Sequence, residues 1–330
     1  MRRHRLVGIA LVVASACGYG SGPLLAKGVY AAGTDWLTLL VWRFTLGAAL
    51  TLAWIAMQPA SRAALRRMSR RQVAVFLGLG MVFSGNAATY YAAVQYAPVS
   101  LVALLLYVYP ALVAVLAMRF GQSFEGRRPW IALGIATFGA ALTIGGIESG
   151  TSPLGVTLAV ASPLIYSGYI VLSARVAGER RGSIPEPRRS AVGSDPDTSA
   201  REGDVPPLVA AALMIVGTWL VLVVIAAAVR EPALPWQIPA RSWPGLVGIA
   251  ILSTAVAIQA FYAGVSRIGA AHAALVSTME PVFAITLAVL VLGERLDTLQ
   301  MVGAAFVVVA VVLAQTGRGV AARVAVAREA

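Results

Sequence analysis

Apolar residues in this chain run on in stretches of about 20, separated by short polar segments, with no sustained alternation that would mark strands. Ten such runs lie at approximately 6–26, 36–57, 73–95, 99–119, 129–146, 153–174, 206–229, 244–266, 271–292 and 299–315. A helix of that length crosses roughly 30 Å of hydrocarbon. The pattern therefore predicts an all-α membrane protein of ten transmembrane helices. The segments between the runs carry the turn and breaker residues expected of loops. One connection is long: residues 177–205 are rich in Arg, Pro, Ser and Gly and cannot bury enough apolar surface to offset chain entropy, so disorder is expected there. A plain linker between two halves is favoured over a regulatory or partner-binding role.

Composition agrees with a bilayer as solvent. Hydrophobic residues make up 59% and charged residues 12%, with a mean hydropathy of +0.80, where a soluble domain carries about 25% charged residues. The first run passes into Lys27 and a second run without a small-residue cleavage site, so no cleavable signal is expected. The net charge of +12 raises nucleic acid as a partner, but the basic residues sit in short clusters between the runs, as topology signals do. No nucleic acid is expected; the expected partners are a small-molecule substrate and membrane lipid, with the protein a monomer or weak homodimer. Arginine supplies all but one of the basic residues, a bias without functional weight. The single Cys17 excludes an internal disulfide and a Cys-based metal cluster. No metal and no cofactor is expected.

Placing the N-terminus inside puts 21 basic residues in inner segments against four in outer ones, Lys27, Arg230, Arg241 and Arg295, with Arg43 alone inside a span. The split obeys the positive-inside rule, so a multi-pass inner-membrane protein with both termini cytoplasmic is expected. An odd number of spans would break the alternation.

Shifting the chain by 171 residues aligns runs 3–4 with runs 8–9 without a gap. Tyr91-Ala92 meets Tyr262-Ala263, Val94 meets Val265, Pro110 meets Pro281, and Leu116-Ala117 meets Leu287-Ala288. The tyrosine and the proline 19 residues later weigh more than the cheap Ala and Leu matches. Each half holds five spans, an odd number, so the second must cross in the opposite sense. The equivalent loops agree, with Arg119, Arg127 and Arg128 in one and Glu294, Arg295 and Asp297 in the other. Two inverted five-helix repeats are expected, an architecture common among carriers that work by alternating access. Their bounds are 1–147 and 148–318, the second containing the 177–205 cytoplasmic loop, followed by a tail at 319–330.

The chain resembles the EamA-type exporters of the drug/metabolite transporter superfamily, whose five-helix domain occurs twice. The residues that carry the resemblance are Gly20-Ser21-Gly22 and Lys27 in run 1, Arg43 in run 2 and the tyrosine–proline pattern of runs 3 and 4. In the second half they are Met279-Glu280-Pro281-Val282-Phe283, Leu292-Gly293-Glu294-Arg295-Leu296 and Gly303. The first half departs from the pattern at Gly121-Gln122-Ser123, where the family often has Gly-Glu. The resemblance implies a transporter that exports amino acids, related metabolites or drugs.

Glu280 is the only carboxylate within a span, about ten residues into run 9. A charge near the midplane costs roughly 2.5–3.5 kcal/mol on insertion scales, so it should face an interior cavity. There it can exchange a proton as the cavity opens to either side; alternatively it is a buried structural group satisfying a carbonyl freed by Pro281. Arg43 is placed to contact an anionic group, to pair with Glu280, or to snorkel to the interface, and a structural role is favoured. Trp36 and Trp42 fit an interfacial belt.

Asn86, Thr89 and Tyr90 share one face of run 3, and Gln259, Tyr262 and Ser266 one face of run 8. As matched faces of repeat partners they are candidates for lining one cavity, with Tyr107 and Tyr109 as aromatic walls; interhelical hydrogen bonding is the plainer alternative. Run 1, with Gly18, Gly20, Gly22 and Pro23, and run 6, with Ser162-Pro163 and Tyr166-Ser167-Gly168-Tyr169, are expected either to be interrupted or to pack closely. His272 reads as a wetted helix end. No HExxH, GxSxG or aspartate-pair motif is present, so an enzyme is disfavoured. A receptor or scaffold leaves the repeat unexplained, and a channel lacks a filter segment.

Overall fold

A chain in hydrocarbon must satisfy its backbone polar groups internally, and the apolar runs fold as helix. The structure, a computed structural model, describes residues 2–119, 127–145, 151–176, 205–231, 234–269, 273 and 276–328. The helices are α1 (Arg2–Ala31), α2 (Trp36–Met57), α3 (Pro59–Arg67), α4 (Arg70–Tyr96), α5 (Val99–Leu106), α6 (Tyr109–Arg119) and α7 (Arg128–Gly145). They continue with α8 (Pro153–Val176), α9 (Pro207–Val229), α10 (Trp243–Gly248), α11 (Ala257–Ile268), α12 (Met279–Leu292) and α13 (Thr298–Arg328). A π-helical segment, Ile249–Val256, joins α10 to α11. No strand occurs among the described residues. Positions 177–204 of the long connection, 121–123 and His272 lie outside the described residues.

Among the described residues seven stretches are long and apolar enough to cross a bilayer: Arg5–Ala31, Trp36–Met57, Arg70–Tyr96, Val99–Leu116, Pro153–Ser173, Leu208–Val229 and Ala240–Val265. Three shorter apolar helices accompany them, Trp130–Gly145, Met279–Leu292 and Thr298–Leu313. Large apolar side chains lie exposed around the bundle, among them Leu290, Val224, Trp130 and Met57. In water such a surface would drive association; in lipid it is the solvated face.

Local signals set the helix ends. Asp35 caps α2 by accepting from the backbone N–H of Leu37 (2.6 Å) and Thr38 (3.0 Å). Ser69 and Gln72 form a reciprocal capping box at the start of α4. Proline stands in the first turn of α3 and α9, where its missing N–H costs nothing. The helices then pack in a definite set of pairs. Helix α4 lies against α8 and α9; α11 and the π-segment lie against α1; the π-segment also meets α2; α6 meets α8, α12 meets α1, α5 meets α12, and α7 pairs with α13. The core between them is Leu-rich, with Leu39, Leu40, Leu101, Leu222 and Leu246 fully buried.

Glu231, just beyond α9, hydrogen-bonds Asp35, and that bond, aided by partial burial, holds its carboxyl above the ordinary 4.5. A carboxyl whose folded value is raised stabilises the fold below its unfolded value and loses that contribution as pH rises through the folded one. The melting temperature of the wild type in detergent should therefore fall relative to Glu231→Gln as pH climbs from about 4.5. Parallel curves for the two proteins would remove the proton from this contact.

Candidate functional site

The fourth apolar run does not make one helix. It stops at Leu106, passes through Tyr107 (φ −70°, ψ 5°) and restarts at Tyr109. The cause is Pro110: its ring clashes with the carbonyl four residues back, at Leu106, and it lacks an N–H to continue the ladder. The ninth run breaks in the same way at Thr278 (φ −64°, ψ −10°), with α12 restarting at Met279 ahead of Pro281. Under the 171-residue shift Tyr107 falls on Thr278, and Tyr109 on Glu280. Two helix breaks thus stand at equivalent places, and each places a polar side chain in the first turn after it.

The two breaks meet. Tyr107, Leu104, Thr278 and Pro281 line one narrow cleft, closed on its third side by Val307, Val308 and Val311 of α13. The Tyr107 hydroxyl hydrogen-bonds the Glu280 carboxyl. Glu280 is partly buried, within electrostatic reach of Tyr90 and Tyr166 as well. Helix α1 closes over this point because Gly20 has no side chain; a Cβ there would sit 3.0 Å from the Glu280 carbonyl oxygen.

An aromatic wall extends from the carboxyl. Tyr107 and Tyr109 lie 6.1 Å apart between ring centroids, Tyr109 meets Tyr166 edge-on at 4.7 Å, and Tyr166 stacks on Tyr169 at 6.1 Å. Phe83 of α4 completes it, 5.2 Å from Tyr169. Such rings offer apolar area, a negative face for cations and hydroxyls for hydrogen bonds.

Arg43 brings a charge into the bundle from α2. Its Nε donates to Thr254 Oγ1 (3.1 Å), its Nη2 donates to the Ser253 carbonyl (3.4 Å), and its guanidinium lies 4.8 Å from the Tyr91 ring centroid. Tyr91 in turn contacts Tyr90 edge-on at 5.3 Å. The π-segment explains the arrangement: wider turns leave a carbonyl for the guanidinium, and such bulges concentrate at functional places. Arg43 is thus held against α10–α11 rather than extended to the interface. Trp42 packs edge-on with Trp243 at 4.9 Å.

The remaining expected residues fall in several settings. Asn86 is buried and accepts a hydrogen bond from Ser162 of α8 (2.9 Å), while Thr89 donates to the Gly85 carbonyl within its own helix. Gln259 is partly buried on α11, the helix that also carries Tyr262. Helix α1 runs unbroken through Pro23, so of the two expected readings close packing holds there. Its glycines serve close approach instead, Gly18 to the Leu252 carbonyl and Gly22 to Ser253 and the Tyr91 hydroxyl. Tyr166 and Tyr169 belong to the aromatic wall, a role their i, i+3 spacing on one helix face signalled but did not decide. Among the described residues no group of three or more His, Cys, Asp or Glu stands where it could hold a metal.

A helical bundle of many apolar spans, with two broken helices meeting at a carboxyl, has the architecture of a membrane transporter. The sequence matches the EamA-like transporter family over residues 6–145 and 199–316, and the chain belongs to that family. The chain is similar to "Uncharacterized transporter sll1319" of Synechocystis sp. (strain ATCC 27184 / PCC 6803 / Kazusa), 24% identical over 247 residues. That match covers 72% of this chain and 65% of the relative, just under two thirds of the relative's length. A solved structure described only as a crystal structure of a protein shares the fold: TM-score 0.57, 20% identity, with 95% of this chain and 97% of that one covered.

Proposed function

We propose that the protein is a secondary active carrier that exports small metabolites, amino acids or drugs across the inner membrane by alternating access, exchanging solute for protons at Glu280. The observation that carries this reading is the position of Glu280: the one carboxylate of the apolar runs stands at a helix break, facing Tyr107 at the equivalent break of the other half. A single carboxyl that holds either a proton or a polar group of the solute links the two fluxes in opposite directions. The aromatic wall from Tyr107 to Tyr169 supplies the binding surface for an amphipathic solute, with Tyr90, Asn86, Gln259, Tyr262 and Arg43 in supporting places.

The proposal includes ten spans in two inverted five-helix repeats, both termini cytoplasmic, acting as a monomer or weak dimer. The packing pairs support it. Numbering the ten runs in order, span 3 packs on spans 6 and 7 while span 8 packs on 1 and 2; span 4 packs on 6 while 9 packs on 1; and spans 5 and 10, and 4 and 9, pair with each other. Exchanging the halves maps these pairs onto one another, whereas the contacts of span 4 with spans 5 and 10 and of span 3 with spans 1 and 2 lack such counterparts among the described residues. The test is a metabolite uptake screen in proteoliposomes, run with and without an acidic lumen. At least one small organic solute should accumulate only with the gradient; a solute transported equally in both conditions would contradict proton exchange.

A further inference from the structure

Helix α5 has no cap of its own. Its N-cap position is Pro98, which brings no side-chain hydrogen bond, and the N–H groups of a first turn have no partner within their helix. The acceptor comes from the other end of the chain. Glu294 Oε1 accepts from the Val99 N–H at 2.7 Å, and its Oε2 accepts from the Ser100 N–H at 2.9 Å and the Ser100 hydroxyl at 2.6 Å. Val99 and Ser100 are buried, at 1% and 2% exposure, and Glu294 is partly buried, so the contact is partly shielded from water.

The local chain is shaped for this reach. Helix α12 ends at Gly293 in the left-handed region (φ 68°, ψ 20°), and the Glu294 N–H returns to the Ala288 carbonyl. That turn swings the Glu294 side chain over the start of α5. The Lys27 ammonium of α1 lies in electrostatic reach of the same carboxylate. One side chain therefore gathers three elements at one end of the bundle. Helix α5 is a straight rod of about 12 Å, and its far end is Tyr107, the partner of Glu280.

From this geometry we infer that Glu294 is a positioning residue: a clasp that holds the outer mouth shut and fixes Tyr107 against Glu280, and that must release for the carrier to open outward. The inference rests on the alternating-access reading above. A carboxylate accepting three hydrogen bonds is worth more than a neutral acceptor, and a glutamine amide would turn two donors toward the backbone donors it should satisfy.

The test places a reporter cysteine on either side of the first helix break, in a Cys17→Ser background: Ala103→Cys on α5 or Ala114→Cys on α6, both buried. A charged, membrane-impermeant thiol reagent is applied from the outer or the inner side in oriented vesicles. In Glu294→Gln, outer labelling of Ala103→Cys should rise about tenfold, the population shift expected from losing a charge-assisted contact. Inner labelling of Ala114→Cys should fall by the same population, a small fraction of the majority state. Ser100→Ala, which removes one of the three bonds and leaves the carboxylate, should shift both readouts the same way by less. A merely loosened fold raises both labels together, and that result, or no change in either, overturns the clasp. Failure of the underlying reading is distinguishable: added solute would then never exchange inner for outer labelling in the protein with native Glu294.

Discussion

Glu280→Gln should erase the response of transport to a pH gradient. In solute-for-proton exchange at one to one, a gradient of one pH unit with the acid side in the lumen supports about tenfold accumulation. Glutamine keeps the size and a hydrogen-bonding group for Tyr107 but cannot release a proton. Accumulation in the variant should therefore settle near a ratio of about one, with the protein still monodisperse and able to bind solute. Tenfold accumulation by a correctly folded Glu280→Gln protein would remove the residue from coupling and leave it as a structural partner of the Pro281 break.

The largest stability effect should come from Gly217→Val. Helices α4 and α9 each offer a glycine to the other's backbone: a Cβ at Gly217 would fall on the Leu77 carbonyl, and one at Gly80 on the Met214 carbonyl. Thr218 Oγ1 donates to the Gly80 carbonyl at 2.8 Å across the same seam. Small residues give membrane helices this approach, and no side-chain rotation relieves a clash with backbone. Separating the helices should cost about 1–3 kcal/mol, read as a lower melting temperature in detergent. Gly168→Ala is the control, because its Cβ would meet nothing within 4 Å and alanine is the better helix former. Equal melting temperatures for the two variants would show that the seam does not limit stability.

Much of this fold is legible along the chain because lipid allows so few backbone solutions. Run length locates most of the helices but not the short α3, Pro59–Arg67, and Pro110 and Pro281 announce trouble within two of them. The position of each break is less legible, since the clash falls on the carbonyl four residues earlier and so places the break before the proline. Glycine-rich α1 misleads for a related reason: its glycines are answered by the Leu252 and Glu280 carbonyls of neighbouring helices, and composition does not show whether a glycine bends or packs. Glu280 stands out as a lone charge in an apolar run. Tyr166 and Tyr169 of the aromatic wall do not, because aromatics at i, i+3 are ordinary in a packed helix. Arg43 shows the same limit, since the π-segment that receives it has no local sequence mark. Glu294 is further still from view: its partners lie 194 and 195 residues away, and only folding brings them together.

The most direct measurement is of protons moved by solute alone. Proteoliposomes with a pH dye in the lumen are prepared without a pH gradient, and the solute identified by the uptake screen is added outside. Exchange at Glu280 requires the lumen to become more alkaline as solute enters, in proportion to the solute taken up, with no such change in Glu280→Gln. Solute entry at the same rate with the lumen pH unmoved would contradict coupled exchange.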